Sequence, residues 1–369
     1  MPIQAPELVI ADLDIARFYR GIISILRRIL VEEAIEEDFP DALRSPKTLV
    51  GVAEWKEYKD MDILKDFLFS LFSLGVVKII NDRIQWIGAG IRMLPEERHI
   101  LEVDPTFAAF FEHFGEHLSD CLKGNKEVID ELVIWDSIES NRVYHDITNY
   151  ALSLLPQMKF NNVLIVGDRA GWIGEYVYQN LQPSKIVYWV YNQRIKELIF
   201  ENRFLFTAQN IIDVVVDEYT KQPKIIDSFD LIFIINTLHW LNDDEVRAFL
   251  KNISLLMGKN GQLLMIQPNK FGAIYNPLFE VLPKCHPNFK GYPTKENLKE
   301  VLTDIGLTIT AIKHNLFITA KLQNDSENYK IPLIPPRFCR ACGSELTAFQ
   351  LFCAKCGSIA KDRIILPLI

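Results

Sequence analysis

The stretch "NNVLIVGDRAGWIG", residues 161 to 174, decides the fold. Val163, Leu164, Ile165 and Val166 form an apolar run of strand length, and Gly167, Gly171 and Gly174 punctuate the residues after it. The pattern reads as a buried strand, a glycine-bearing turn and a helix. Such a turn can set backbone N–H groups and a helix N-terminus against a polar ligand. A loose G-x-x-x-G-x-x-G spacing is a weak signal on its own, so the surrounding chain carries the reading.

Downstream, the apolar strands "SKIVYWVY", "DVVVDEY", "FDLIFII" and "GQLLMIQ" alternate with amphipathic helical segments. "PTKENLKEVLTDIGLTITAIKHNLFITAKLQN" then reads as a helix and two strands. This order predicts an α/β fold with a doubly wound, Rossmann-like, mostly parallel sheet. Upstream, residues 104 to 159 read as a mostly helical lead-in, with "PTFAAFFEHFGEHLSDCL" and "SNRVYHDITNYALSLLP" as its main segments.

The N-terminal part has a different rhythm. Residues 12 to 37 repeat apolar side chains at helical spacing until the prolines of "FPDALRSP" break the pattern. "KTLVGVAEWKEY" and "DMDILKDFLFSLFSLG" read as two more helices, and "VVKIINDRIQWI" as two strands around an Asn81-Asp82 turn. Three helices and a hairpin make a winged-helix pattern. DNA binding is a poor fit: the helix beginning at Asp62 carries Lys65 as its one base, and Phe67, Leu68, Phe69, Leu71 and Phe72 suit burial or dimerisation.

Charge points the same way. The net charge of −8 divides into −5 for residues 1 to 103, −6 for 104 to 336 and +3 for 337 to 369. Phosphate-backbone binding needs clustered Lys and Arg, so the C-terminal piece alone is mildly suited to nucleic acid. "MPIQAPELVIADLD" lacks the basic start and apolar core of a secretory signal. The apolar-rich run "FLFSLFSLGVV" covers 67 to 77, too short for a bilayer, which needs roughly 20 residues. The expectation is a cytoplasmic protein without membrane contact.

Residues 324 to 336, "NDSENYKIPLIPP", form a polar, then proline-rich linker. After it, "CRACGSELTAFQLFCAKCG" places Cys339, Cys342, Cys353 and Cys356 as two C-x2-C pairs separated by ten residues. Two such knuckles close a tetrahedral four-thiolate shell suited to structural Zn2+, with an iron site or a redox pair as the alternatives. The unit resembles the short zinc ribbons found at chain ends, which implies a docking module for a protein or nucleic acid. The tail "IILPLI" is expected to dock on the body, and Cys121 and Cys285, which stand alone, to pack as ordinary buried residues.

Together, "VLIVGDRAGWIG", "FDLIFIINTLHWLNDDE" and "AFLKNISLLMGKNGQLLMIQ" resemble the class I S-adenosylmethionine-dependent methyltransferases. "TLVGVAEWKEYKDMDILKDFLFSLFSLGVVKIINDRIQWI" resembles the dimerising winged-helix domain that precedes the catalytic domain in small-molecule O-methyltransferases. The likeness covers residues 12 to 323. It implies a dimerisation domain over 1–103, a methyltransferase-like domain over 104–323, the linker, and a ribbon with its tail over 337–369.

The resemblance also implies site residues. The family ends its first strand with an acid before a G-x-G-x-G turn; the acid helps hold the cofactor's amino group. Here Ile165 takes the acidic position, Gly167 and Gly171 the outer glycines and Arg169 the middle one, with Asp168 as the nearest carboxylate. The ribose-binding position falls on Tyr191 beside Asn192, the adenine position on Asp217, and the cofactor-lining position on Asn236. His239 matches the family's general base, although Trp240 follows it where the family has an acid. Tyr144 and His145 are expected to close over the site. The implied function is O-methylation of a small molecule by a homodimer; the alternative is a non-catalytic scaffold binding a protein or nucleic acid through its winged helix and ribbon.

Overall fold

The computed structural model describes residues 12–88, 105–126, 136–140 except 137, 142–225, 227–270, 276–322 except 315, and the pairs 337–338 and 345–346. At its centre is a sheet of seven strands: β4 (Asn162–Val166), β5 (Lys185–Val190), β6 (Ile212–Val216), β7 (Phe229–Ile235), β8 (Met257–Ile266), β9 (Leu307–Lys313) and β10 (Phe317–Leu322). Their order is β6-β5-β4-β7-β8-β10-β9. The first five are parallel; β10 runs antiparallel to β8 and to β9.

The sheet is buried on both faces, which explains why its strands read as unbroken apolar runs rather than alternating ones. Along β4, Val163 and Ile165 join one core cluster, with Tyr188, Leu231 and Phe233. Leu164 and Val166 join the other, with Trp189, Ile232, Ile234 and Phe249. Helices α8 (Trp172–Leu181), α9 (Gln193–Asn202), α10 (Asp243–Leu256) and α12 (Lys295–Asp304) cover these faces. Local chemistry starts three of them. Asn192 accepts from the Ile195 N–H, Thr294 accepts from the Asn297 N–H, and Asn242 with Glu245 forms a reciprocal capping box.

In the N-terminal part, α1 (Asp12–Glu36), α2 (Phe39–Ala42), α3 (Leu49–Lys56) and α4 (Met61–Ser73) precede the hairpin β2 (Val77–Ile80) and β3 (Arg83–Trp86). Asn81 (φ 51°) and Asp82 (φ 59°) supply the left-handed pair that a two-residue hairpin turn needs. A further strand, β1 (Lys47–Thr48), pairs with β3. Helices α5 (Pro105–Glu116), α6 (Leu118–Leu122) and α7 (Arg142–Ser153) come next. One apolar cluster runs from α1 and α4 through α6 and α7 to a face of the sheet.

α4 is half-satisfied by this packing. Phe67, Leu68 and Leu71 are buried, while Phe69 and Phe72 are 37% and 40% exposed. Helix α11 (Asn276–Glu280) packs on α4, and a Lys284–Asp66 ion pair joins the same two regions. Cys121 and Cys285 are free and buried, as expected, and they meet at this junction. The Cys121 Sγ lies 3.7 Å from the Cys285 carbonyl oxygen. Both line a cavity of about 450 Å³ with His117, Asp120 and Lys126. The helical lead-in folds α6 back onto the turn at 283–285, so residues far apart in sequence share one wall.

At the C-terminus, β11 (Arg337–Phe338) pairs antiparallel with β12 (Glu345–Leu346). Cys339, Cys342, Cys353 and Cys356, like the tail, lie outside the described residues. Among the described residues there is no cluster of three His, Cys, Asp or Glu suited to a metal ion, and no helix is long and apolar enough to cross a membrane.

Candidate functional site

Strand β4 has β5 on one side and β7 on the other, so the order of connection reverses there. Open parallel sheets bind ligands in the crevice outside the strand ends at such a point. Gly167, immediately after β4, adopts φ 91°, and a Cβ there would collide with the Ile235 carbonyl oxygen and the Thr237 hydroxyl at the end of β7. The two strand ends are thus in direct contact, and only glycine allows it. The "NNVLIVGDRAGWIG" stretch lies where the sequence reading put it.

The turn after Gly167 is organised by two buried acids. Asp168 accepts from the N–H groups of Ala170 (3.2 Å), Gly171 (2.6 Å) and Gly174 (3.3 Å), so it caps α8 from outside the helix. Glu139, fully buried and remote in sequence, accepts from the N–H of Arg169 (3.1 Å) and of Ala170 (2.8 Å). Burial first, then the adjacent Asp168, pushes the Glu139 carboxyl well above the ordinary carboxylate range. Burial also raises Asp168, against the pull of Glu139 and of three backbone N–H groups.

A glycine turn offers a cofactor its backbone N–H groups. Here those of residues 169, 170, 171 and 174 already face the chain's own carboxylates. Arg169 is itself buried, with Nη1 3.4 Å from the Gly167 carbonyl oxygen. The amino-acid half of an S-adenosyl ligand would therefore have to displace Asp168 and Glu139 from these N–H groups.

The neighbouring strand ends are also engaged. The Asn192 side-chain oxygen accepts the Ile195 N–H at 2.9 Å as the cap of α9, while Tyr191 is 51% exposed. The Asp217 carboxylate ties its own loop, accepting from the Glu218 N–H (3.0 Å) and the Lys224 N–H (3.3 Å). Tyr219 comes two residues later, buried against Trp189, Phe249 and Tyr191, with its hydroxyl 3.3 Å from the Trp189 carbonyl oxygen. The Tyr219 ring thus reaches from the β6 loop to the end of β5.

After β7, Asn236 (φ 45°) donates to the Tyr144 hydroxyl, so Tyr144 does reach the site. His145 does not. It meets Tyr176 edge to face with ring centres 4.7 Å apart and hydrogen-bonds Asn149. His239 is buried among Trp240, Phe289 and Tyr292. Burial, and then the charge of Arg169, drives its pKa well below the ordinary value, so the ring is neutral at pH 7.

Gln267 determines the tautomer of that ring. Its Oε1 accepts the Leu238 N–H at 2.9 Å, and its Nε2 donates to the Pro268 carbonyl oxygen at 3.1 Å. Those partners fix the amide orientation, because a backbone N–H only donates and a carbonyl only accepts. The contact from Gln267 Nε2 to His239 Nδ1 at 3.3 Å is then a donation to Nδ1, and the imidazole proton sits on Nε2. In this state His239 offers a donor to a neighbour, not the lone pair of a general base.

The site therefore gathers Gly167, Asp168, Gly171, Asn236 and His239, with Tyr191, Asn192 and Asp217 along its rim. Glu139, Tyr219 and Gln267 were missed in sequence. Glu139 lies in "DSIESN", which carries no motif; Gln267 could be found only as the last residue of an apolar strand.

No protein-family model and no curated protein matches the chain. Solved structures do. The chain is similar to the CurJ carbon methyltransferase, with TM-score 0.56 and 13% identity over 83% of this chain and 92% of that one. It is also similar to the CMeT domain of the citrinin polyketide synthase, with TM-score 0.54 and 13% identity over 82% and 89%. The mitomycin 7-O-methyltransferase MmcR matches at TM-score 0.48 and 16% identity over 84% and 96%. At these identities the likeness to the first two establishes the fold alone.

Proposed function

We propose that the chain is an S-adenosylmethionine-dependent methyltransferase acting on a small molecule, with oxygen as the methyl acceptor. The observation that carries this reading is the β4–β7 crossing point, where a glycine turn opens onto Asn236 and His239 in a methyltransferase-type sheet. Tyr191, Asn192 and Asp217 line the adenosine side in this reading. His239, neutral with its proton on Nε2, orients the acceptor oxygen by donating to it. Helices α1, α3 and α4 with the β2–β3 hairpin support a winged-helix domain, and the exposed Phe69 and Phe72 of α4 suit a homodimer. The four ribbon cysteines hold structural zinc and present a docking module, and the protein works in the cytoplasm.

Calorimetry with S-adenosylmethionine and S-adenosylhomocysteine tests the reading. Binding of either that is lost in Asp217→Ala supports it, because Asp217 lines the adenosine side in this reading. No heat with either ligand at hundreds of micromolar would sink it. One observation favours a second reading, a partner-binding scaffold of the same fold: the turn's N–H groups already have internal acceptors. Ligand binding at the crevice excludes a scaffold with a dead site.

A further inference from the structure

Cys121 and Cys285 reach the junction between the N-terminal helices and the sheet domain from positions 164 residues apart in the chain. Cys121 is in α6, where the Leu122 carbonyl accepts the N–H groups of Lys59 and Asp60 and so ties the helix to the start of α4. Cys285 is in the turn at 283–285 that follows α11. The Cys121 Sγ lies 3.7 Å from the Cys285 carbonyl oxygen, and the Cys285 Sγ lies 3.8 Å from the Val281 carbonyl oxygen. Each sulfur is thus placed as a thiol donating to a main-chain acceptor.

Close packing around a buried cysteine makes it inert, but a cavity beside it admits a small reagent. Both cysteines are free and buried, and both line the cavity of about 450 Å³ with His117, Asp120 and Lys126. Among the described residues no group of three His, Cys, Asp or Glu is suited to a metal ion, so the chemistry open to this pair is that of thiols. A disulfide needs Cβ atoms roughly 4 Å apart. The contact of the Cys121 sulfur with the main chain of Cys285 brings the two side chains within one another's reach.

We propose that Cys121 and Cys285 are a redox modification site, closed to a disulfide by hydrogen peroxide entering the cavity and reopened by a dithiol reductant. One sulfur, as thiolate, attacks a peroxide oxygen; the O–O bond breaks, the departing hydroxide takes up a proton as water, and the sulfur becomes a sulfenic acid. The other thiol attacks that sulfur, the S–O bond breaks, and a second water leaves with its proton. The two thiols lose two electrons and two protons, and one peroxide becomes two waters. The new bond ties α6 to the 283–285 turn, and that turn continues into the wall of His239. There the His286 and Trp240 ring centres are 5.0 Å apart, and the Lys290 N–H donates to the His239 carbonyl oxygen at 2.8 Å. Oxidation thus anchors this wall to the N-terminal helices, whichever ligand the crevice takes.

The test treats the full native chain with a small molar excess of hydrogen peroxide, blocks the remaining thiols and maps the peptides without reduction. The Cys121 peptide should be found joined to the Cys285 peptide, two hydrogens lighter than the free pair, and released by dithiothreitol. A bond closing so long a loop constrains the unfolded chain, so the oxidised protein should melt roughly 5 °C higher than the reduced one. That gain should be absent in Cys285→Ser; if the variant does not fold, the dithiothreitol-treated native protein serves as the reference. Amide exchange at residues 288–290 should slow when the bond forms. Recovery of both cysteines as blocked thiols overturns the proposal. So does oxidation of either to a sulfinic or sulfonic acid without the linkage, or a bond from either to a ribbon cysteine. A joined pair with unchanged melting and unchanged exchange overturns the anchoring.

Discussion

Gln267 donates to the Pro268 carbonyl and to His239 Nδ1 while accepting the Leu238 N–H, so one amide sets both the position and the tautomer of the histidine. Nitrogen-15 NMR of the imidazole should find the proton on Nε2 and a neutral ring throughout pH 6 to 8; a proton on Nδ1 contradicts the hydrogen-bond assignment. Gln267→Glu keeps the acceptor for Leu238 and turns the second contact into a carboxylate, which should move the proton to Nδ1 and raise the histidine pKa. Asp168 is a second residue whose role is local. Removing it in Asp168→Ala leaves the buried N–H groups of Gly171 and Gly174 to find other partners, while Ala170 keeps Glu139, and should cost about 2 to 4 kcal/mol in urea unfolding. A loss under about 0.5 kcal/mol would show that the cap contributes nothing net. The places of Asp168 and His239 were legible in the sequence, but their partners were not. Glu139, Tyr219 and Gln267 reach them through tertiary contacts that no spacing encodes.

The strands were legible because both faces of the sheet are buried, which leaves Val163 to Val166 and Phe229 to Ile235 almost wholly apolar. The two-residue β1 was not, since Lys47 and Thr48 carry no alternation and pair only because β3 lies beside them. The antiparallel end of the sheet was readable from a helix succeeded by two apolar runs. Helix α1 carries an element-scale prediction of its own. Burial, then Glu37 and Glu36, raises the Glu33 carboxyl to about 7 from 4.5. The folded state therefore binds more protons than the unfolded one between those values. The contribution is present below pH 4.5 and is lost as pH rises through 7. Urea unfolding at pH 5 and pH 8 should show a smaller loss of stability in Glu33→Gln than in the native protein; an equal loss in both contradicts the assignment.

For the molecule as a whole, one apolar core joins the N-terminal helices to the sheet, and the Lys284–Asp66 pair and the Cys121–Cys285 contact sit at the same junction. The sequence predicted the two regions but not this meeting, because it depends on how α11 and the turn at 283–285 fold back onto α4 and α6. The ribbon adds a separate prediction. Metal analysis should find one zinc per chain, lost in Cys339→Ser with Cys353→Ser; well under one zinc in the native protein contradicts a structural zinc site. The central claim is that an S-adenosyl ligand sits on the β4–α8 turn at the crossing point of the sheet. Amide hydrogen exchange of the full chain with and without S-adenosylhomocysteine tests it most directly. The expected result is slowed exchange at residues 167–174, 191–195 and 217–219, with the rest of the sheet unchanged. Unaltered exchange in all three segments under saturating ligand would contradict it.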